Sequence, residues 1–158
     1  MVLRQVKGTQ RNRLAWRWSA PAANPTFASP LGGTDYALCL YDESDTPGSP
    51  GLAFGAYAPA TSGCAGGKAC WTARGHRGFR YRERSDNPAG LLRIVLGTTA
   101  SGRTRIAADG GGASFTGFGL PLTPTVTLQL QSAGGGCWGA EYRQPIRNQL
   151  HLFKARSG

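Results

Sequence analysis

TDYALCLYD, residues 34–42, is the stretch whose reading decides the fold. Tyr36, Leu38 and Leu40 alternate with Ala37, Cys39 and Tyr41. A period of two in aromatic and branched residues is the pattern of a strand buried on at least one side. Nothing in it repeats at the 3.6-residue period of a helix. The same stretch carries Cys39, far along the chain from every other cysteine, so any disulfide it made would join distant segments.

Working outward from this strand, the same alternation recurs. Residues 14–19 (LAWRWS) set Leu14, Trp16 and Trp18 against Ala15, Arg17 and Ser19. Residues 125–131 (TVTLQLQ) turn Val126, Leu128 and Leu130 inward. Further strands are expected at 52–57, 69–73, 78–83, 91–96, 103–108, 137–142 and 149–155. The chain between them is broken by loops at 20–33, 43–51 and 58–68 and by the turns SDNPAG and DGGG. Residues 112–124 hold Pro121 and Pro124, which cannot donate to a ladder, so this segment is extended without being a central strand. Residues 1–13 are basic and polar and are expected to form an arm or edge segment ahead of a domain spanning 14–158. Short strands punctuated by Gly/Pro turns predict an all-β fold, a single antiparallel β-sandwich (jelly-roll or Ig-like) of about nine or ten strands.

The chain has 158 residues, one domain's worth, with 24 Gly and 10 Pro scattered as punctuation rather than as repeats. No run approaches the roughly 18 apolar residues of a membrane helix, so no membrane insertion is expected. MVLRQVKGTQRNRLAWRWSA has charges throughout and no apolar core, so it does not read as a signal peptide. The four cysteines form no CxxC pair and suit disulfides better than metal. Both observations fit a mature domain or an excerpt of a longer exported protein, secreted or at the cell surface.

Four cysteines allow three connectivities. Cys64 and Cys70 bracket the flexible AGGKA, which can bring their Cα atoms to the roughly 5.5 Å that a disulfide needs. Cys39 and Cys137, both in well-patterned strands, are the remaining pair. Closing a loop of roughly 100 residues, that bridge would be worth about 4–5 kcal/mol in the chain-entropy model. Cys70-Trp71 and Cys137-Trp138 each place an indole beside a sulfur. Either tryptophan packs in the core, or Trp71 or Trp138 serves as an aromatic platform for a sugar ring.

Catalytic signatures are missing. There is no GxSxG elbow, no Walker A loop and no GxGxxG after a strand, so no cofactor is expected and the chain does not read as an enzyme. The eight acidic residues show no spacing that selects an acid/base pair. His76 and His151 are the only histidines, and both suit surface or structural roles. Asp42, Glu43 and Asp45, in the loop after 34–42, offer oxygens of the kind calcium takes, though exposed acids in a polar turn look the same.

The net charge of +10 invites a polyanion reading, and Arg supplies most of it, with Lys only at 7, 68 and 154. Arg74, Arg77, Arg80, Arg82 and Arg84 cluster around Phe79 and Tyr81. On a strand, Arg80, Arg82 and Arg84 share one face about 7 Å apart, a spacing of forks suited to carboxylate, sulfate or phosphate. The competing interpretation is a solvated edge whose charge discourages aggregation.

WRW, TDYALCLYD, ACWTARG-x-x-GFRYRERSDNPAGL, the basic strand around Arg105, LPLTPTVTLQLQ, GCWGAEY and RNQLHLFKARS run over nearly the whole chain. In order and spacing they resemble an uncharacterised β-rich module, often repeated, of predicted secreted or surface proteins from GC-rich environmental bacteria. GHRGFRYRERSDNPAG is the most recognisable part. The resemblance implies an exported structural or binding module and supplies no functional residues. The expected function is therefore a non-enzymatic structural or adhesive module of a larger exported assembly. Its expected partners are copies of itself or neighbouring modules. The alternative is a binding module for acidic glycans or other polyanions through the arginines of 74–84, with nucleic acid the less expected polymer.

Overall fold

The structure, a computed structural model, describes residues 1–6, 12–21, 27–61, 63–64, 67–75, 78–83, 90–112, 114–116 and 118–157. It is all-β apart from a short 3-10 turn at Pro30–Gly32. Among the described residues, the strands are β1 (Val2–Arg4), β2 (Arg13–Ala20), β3 (Tyr36–Asp42), β4 (Gly51–Ala58), β5 (Gly63–Cys64), β6 (Lys68–Ala69) and β7 (Trp71–Ala73). They continue with β8 (Gly78–Arg82), β9 (Leu91–Thr98), β10 (Thr104–Gly111), β11 (Val126–Ser132), β12 (Cys137–Tyr142), β13 (Arg147–Gln149) and β14 (Leu152–Lys154).

Every pairing is antiparallel. An eight-stranded sheet runs β13-β14-β1-β2-β10-β9-β8-β7, a four-stranded sheet runs β12-β11-β3-β4, and β5-β6 form a small ribbon. Eight of the ten expected strands are present, whereas 69–73 is split at Cys70 into β6 and β7, which belong to different sheets, and 149–155 is broken at 150–151, with only β14 falling wholly inside it. β1, β5 and β13, of two or three residues each, lie outside or mostly outside the expected strands.

The two larger sheets share one core. From the eight-stranded sheet it takes Leu14, Trp16, Trp71, Tyr81, Ile94, Leu96 and Ile106, and from the four-stranded sheet Tyr36, Leu38, Leu40, Phe54, Leu128 and Leu130. Polar tips of aromatic residues join the layers. Trp16 Nε1 donates to Tyr142 Oη at 3.0 Å, and Trp18 Nε1 donates to Gly139 O at 2.8 Å. The proline-bearing segment after β10 closes one end of this core with Phe115, Phe118, Leu120 and Leu122, all buried. Asp42 and Asn148 hold it in place: Thr123 N donates to Asp42 Oδ2 at 3.1 Å, and Leu122 N donates to Asn148 Oδ1 at 3.0 Å.

Two expectations need correction. Residues 1–13 are not simply an arm, because β1 lies inside the eight-stranded sheet between β14 and β2, with Leu3 fully buried. The chain ends meet there, Met1 N donating to Ala155 O at 2.8 Å. Residues 7–11 lie outside the described residues.

The second correction concerns sulfur. Cys64–Cys70 is a disulfide, whereas Cys39 and Cys137 are free. Cys39 pairs with Gln129 on one side of β11, and Cys137 pairs with Gln131 on the other. Two strand spacings, together about 9.6 Å, separate them, beyond the roughly 7 Å between Cα atoms that a bridge spans. Unreduced protein denatured in guanidinium is expected to titrate two thiols per chain; none, or four, would contradict this pairing.

Burial also sets an alkaline limit. Tyr36 sits in the core with its hydroxyl donating to Ala28 O at 2.6 Å, and burial pushes its pKa from 10.0 up to about 12. Burial raises Tyr142 as well. A pKa raised on folding means that the native state holds its proton after the unfolded chain has lost it. The contribution of Tyr36 is thus fully present below pH 10 and is lost progressively between pH 10 and about 12. Urea midpoints measured across that window should fall, and less steeply for Tyr36→Phe.

Candidate polyanion-binding face

Alternation has a consequence for the outer side of the eight-stranded sheet. Each strand turns its apolar residues to the core, so its intervening residues share one solvent face. The register fixes how they line up. One row across the sheet reads Arg147, Lys154, Val2, Ala15, Asp109, Arg93, Arg82. The next reads Arg17, Ala107, Val95, Arg80, Thr72. A third reads Ser19, Arg105, Gly97, Gly78, and Arg74 follows on from it, its N–H donating to Gly78 O. Arg4 and Arg13 pair at one corner. All of these cations are exposed.

Asp109 is the one carboxylate on this face among the described residues. It is held by two guanidinium groups: Arg17 Nη1 to Oδ1 at 2.8 Å and Arg93 Nη1 to Oδ2 at 3.2 Å. The remaining cations, including Arg80, Arg82 and Arg105, have no acidic partner among the described residues. Neighbours on one strand lie about 7 Å apart and adjacent strands about 4.8 Å apart. Both distances are inside the Debye length of about 8 Å at physiological salt, so the charges act together rather than singly.

Between the arginines the surface is low. Arg17 and Arg80 stand three strand spacings apart, roughly 14 Å, and Ala107 and Val95 floor the gap. Gly97 and Gly78 continue the floor, and at Gly78 glycine is required. Gly78 has φ 123°, and a side chain on it would run into the carbonyl of Leu96. A shallow depression of about 320 Å³ is lined by Arg17, Trp18, Ser19, Arg105, Ile106 and Ala107. No aromatic side chain among the described residues alternates onto this face; Trp18, which also lines the depression, sends its indole Nε1 inward to Gly139 O.

The outer side of the four-stranded sheet is different. It shows Ala37, Cys39 and Tyr41 on β3, Thr127, Gln129 and Gln131 on β11, and Gly139 and Glu141 on β12. Its one carboxylate, Glu141, accepts from Arg143 at 3.0 Å. The remaining described acids, Asp35, Asp42, Glu43, Asp45 and Glu83, also lie away from the basic face. Charge is therefore sorted by side.

The structure brings Arg74, Arg80 and Arg82 onto the basic face as expected; Arg77, Arg84 and His76 lie outside the described residues. Sequence reasoning missed Arg4, Arg13, Arg17, Arg93, Arg105, Arg147 and Lys154 as members of the same surface. Their signal was available strand by strand, since each alternates with buried residues, but strand order alone shows that they are neighbours.

Trp71 is not an exposed platform. It is buried against Tyr36 and Tyr81, ring centroids 5.3 and 5.2 Å away. Trp138 turns inward and packs on Phe27 at 5.1 Å. Asp42, Glu43 and Asp45 do not converge on a shared point. Asp42 is buried, accepting from Ser44 Oγ and Thr123 N, and Glu43 accepts from Gly48 N at 2.9 Å, which holds its pKa below the ordinary value. Their carboxylates fold the loop. Among the described residues, the donors that do gather are Cys64, Cys70 and Glu83.

No family model, curated protein or solved structure matches this chain.

Proposed function

We propose that this domain is a non-enzymatic module that binds an acidic polymer across the outer face of its eight-stranded sheet. In this reading the facing sheets form a sandwich within an exported or surface protein, consistent with the Cys64–Cys70 disulfide. The observation that carries it is the sorting of charge: rows of exposed guanidinium groups around a carboxylate, Asp109, that is clamped and stands alone among the described residues.

The shape and chemistry favour an acidic polysaccharide. Guanidinium forks match carboxylate and sulfate groups, and the flat Ala/Val/Gly floor accepts a chain lying across the strands. Single-stranded nucleic acid is gripped largely by aromatic stacking, and the one aromatic residue lining the depression, Trp18, has its indole turned inward to Gly139 O.

Asp109 supplies the test. Asp109→Asn removes the opposing charge and releases Arg17 and Arg93, while the lost ion pairs are exposed and worth at most about 1 kcal/mol each. Affinity for a sulfated polysaccharide, measured by calorimetry, is expected to rise severalfold with the fold intact. Unchanged or weaker binding would place the polymer elsewhere.

A second reading, a building block that contacts copies of itself or neighbouring modules, draws on β4. This edge strand exposes Leu52 and Tyr57 on the side away from the basic face. Concentration-dependent association without ligand, seen by sedimentation and lost in Tyr57→Lys, would support it.

A further inference from the structure

Beside the edge of the basic sheet, three donors of metal-binding type meet without any part in the polyanion reading. Cys64 and Cys70 form the disulfide, and Glu83, immediately after β8, places Oε2 3.8 Å from Cys70 Sγ. One donor atom from each of the three lies within 4.8 Å of the other two. Glu83 and Cys70 are buried and Cys64 is half-buried. Backbone hydrogen bonds hold them independently of the S–S bond: Arg82 N donates to Cys70 O, Glu83 N donates to Leu92 O, and β5 and β6 pair around Cys64.

Disulfide sulfur is a poor ligand and thiolate a strong one, so the oxidation state decides what this cluster does. We propose that Cys64, Cys70 and Glu83 form a redox-gated zinc site: a disulfide in the oxidised chain, a metal site with two sulfurs and one oxygen in the reduced chain. Two equivalents of a thiol reductant convert the disulfide to two cysteine thiols and one oxidised reductant disulfide. Each thiol loses its proton as Zn²⁺ binds, and Glu83 joins as a carboxylate. Zinc takes such borderline sets tetrahedrally, with sulfur at about 2.3 Å and oxygen at about 2.0–2.2 Å, and water fills the fourth position. The Cα atoms of the two cysteines are 5.1 Å apart, so both thiols stay close after reduction.

Cobalt(II) provides the readout in the full chain. Reduced protein titrated with Co²⁺ is expected to develop a thiolate-to-cobalt charge-transfer band that saturates at one equivalent and disappears on adding Zn²⁺. Unreduced protein still offers the free thiols of Cys39 and Cys137, and it should give no such band. Glu83→Gln is expected to weaken Co²⁺ binding at least about tenfold, the loss seen even for residues one shell further out. Cys64→Ser removes the band and Cys137→Ser keeps it. If Glu83→Gln does not fold, the half-buried Cys64→Ser decides alone. No band on reduction, an equal band without reduction, a band surviving Cys64→Ser, or folded Glu83→Gln binding as the parent does would each overturn the proposal.

Discussion

Replacing Arg80, Arg82 and Arg105 together with glutamate abolishes binding to a sulfated polysaccharide at physiological salt while leaving the urea midpoint nearly unchanged. All three side chains are exposed on the outer face of the eight-stranded sheet, and none has an acidic partner among the described residues. Their loss removes no packing and breaks no ion pair. Its electrostatic effect is large, because three cations become three anions beside Asp109 on a face whose charges lie within one screening length of each other. The milder Gln versions give a graded measurement. Each contact removed should flatten the dependence of log affinity on log salt by about 0.7–0.9, the range for phosphate polymers. Arg143, across the molecule and paired with Glu141, is the control; reversing it should leave affinity and salt dependence as they were. A triple variant that binds like the parent would remove the basic face from the account.

The largest effect on stability is expected at Trp16. It is completely buried at the junction of the two sheets, where its indole N–H donates to Tyr142 Oη. Trp16→Ala leaves a cavity costing about 3–5 kcal/mol, out of the roughly 5–15 kcal/mol that typically separates a folded domain from its unfolded chain. It also strips Tyr142 Oη of its donor. With a urea slope of about 1–3 kcal/mol per molar, the midpoint should fall by at least about 1 M. Tyr142→Phe keeps the ring and orphans only the indole N–H, a smaller loss of about 1–3 kcal/mol. The order matters more than either number. If Tyr142→Phe were the more damaging, the packing of these two sheets on Trp16 would be misplaced.

The strands were legible because burial on one side writes itself into sequence as a period of two. TDYALCLYD and TVTLQLQ show it plainly, and they proved to be neighbours in the four-stranded sheet. β1, β5 and β13 were not legible, since two or three residues hold too little alternation to stand out, and neither was the break that sets β6 apart from β7. The Cys64–Cys70 bridge is present, whereas the Cys39–Cys137 pairing failed for a related reason. Loop lengths counted along the chain say nothing of β11, which lies between Cys39 and Cys137 and sets them out of reach.

The basic face was half legible. RYR in β8 announced itself because its arginines crowd in sequence. Arg17, Arg93 and Arg105 are far apart in the chain, and each looked like one solvated residue on an ordinary strand. They become one surface only through the order β2-β10-β9-β8, which long-range pairing decides. The same pairing reveals Asp109 as the lone carboxylate on that surface among the described residues. By contrast, sequence leaves open the choice between core and platform for Trp71, and between polar turn and calcium loop after β3, because residue type does not tell direction. Trp71 faces the core, and Asp42 is spent on Thr123 N.

Protection of arginines from phenylglyoxal, mapped by peptide mass spectrometry with and without a sulfated polysaccharide, tests most directly whether the eight-stranded sheet carries the binding surface. The account predicts that the polymer shields Arg80, Arg82, Arg93 and Arg105 while Arg143 reacts as before. Protection of Arg143 with those four left fully reactive would contradict it.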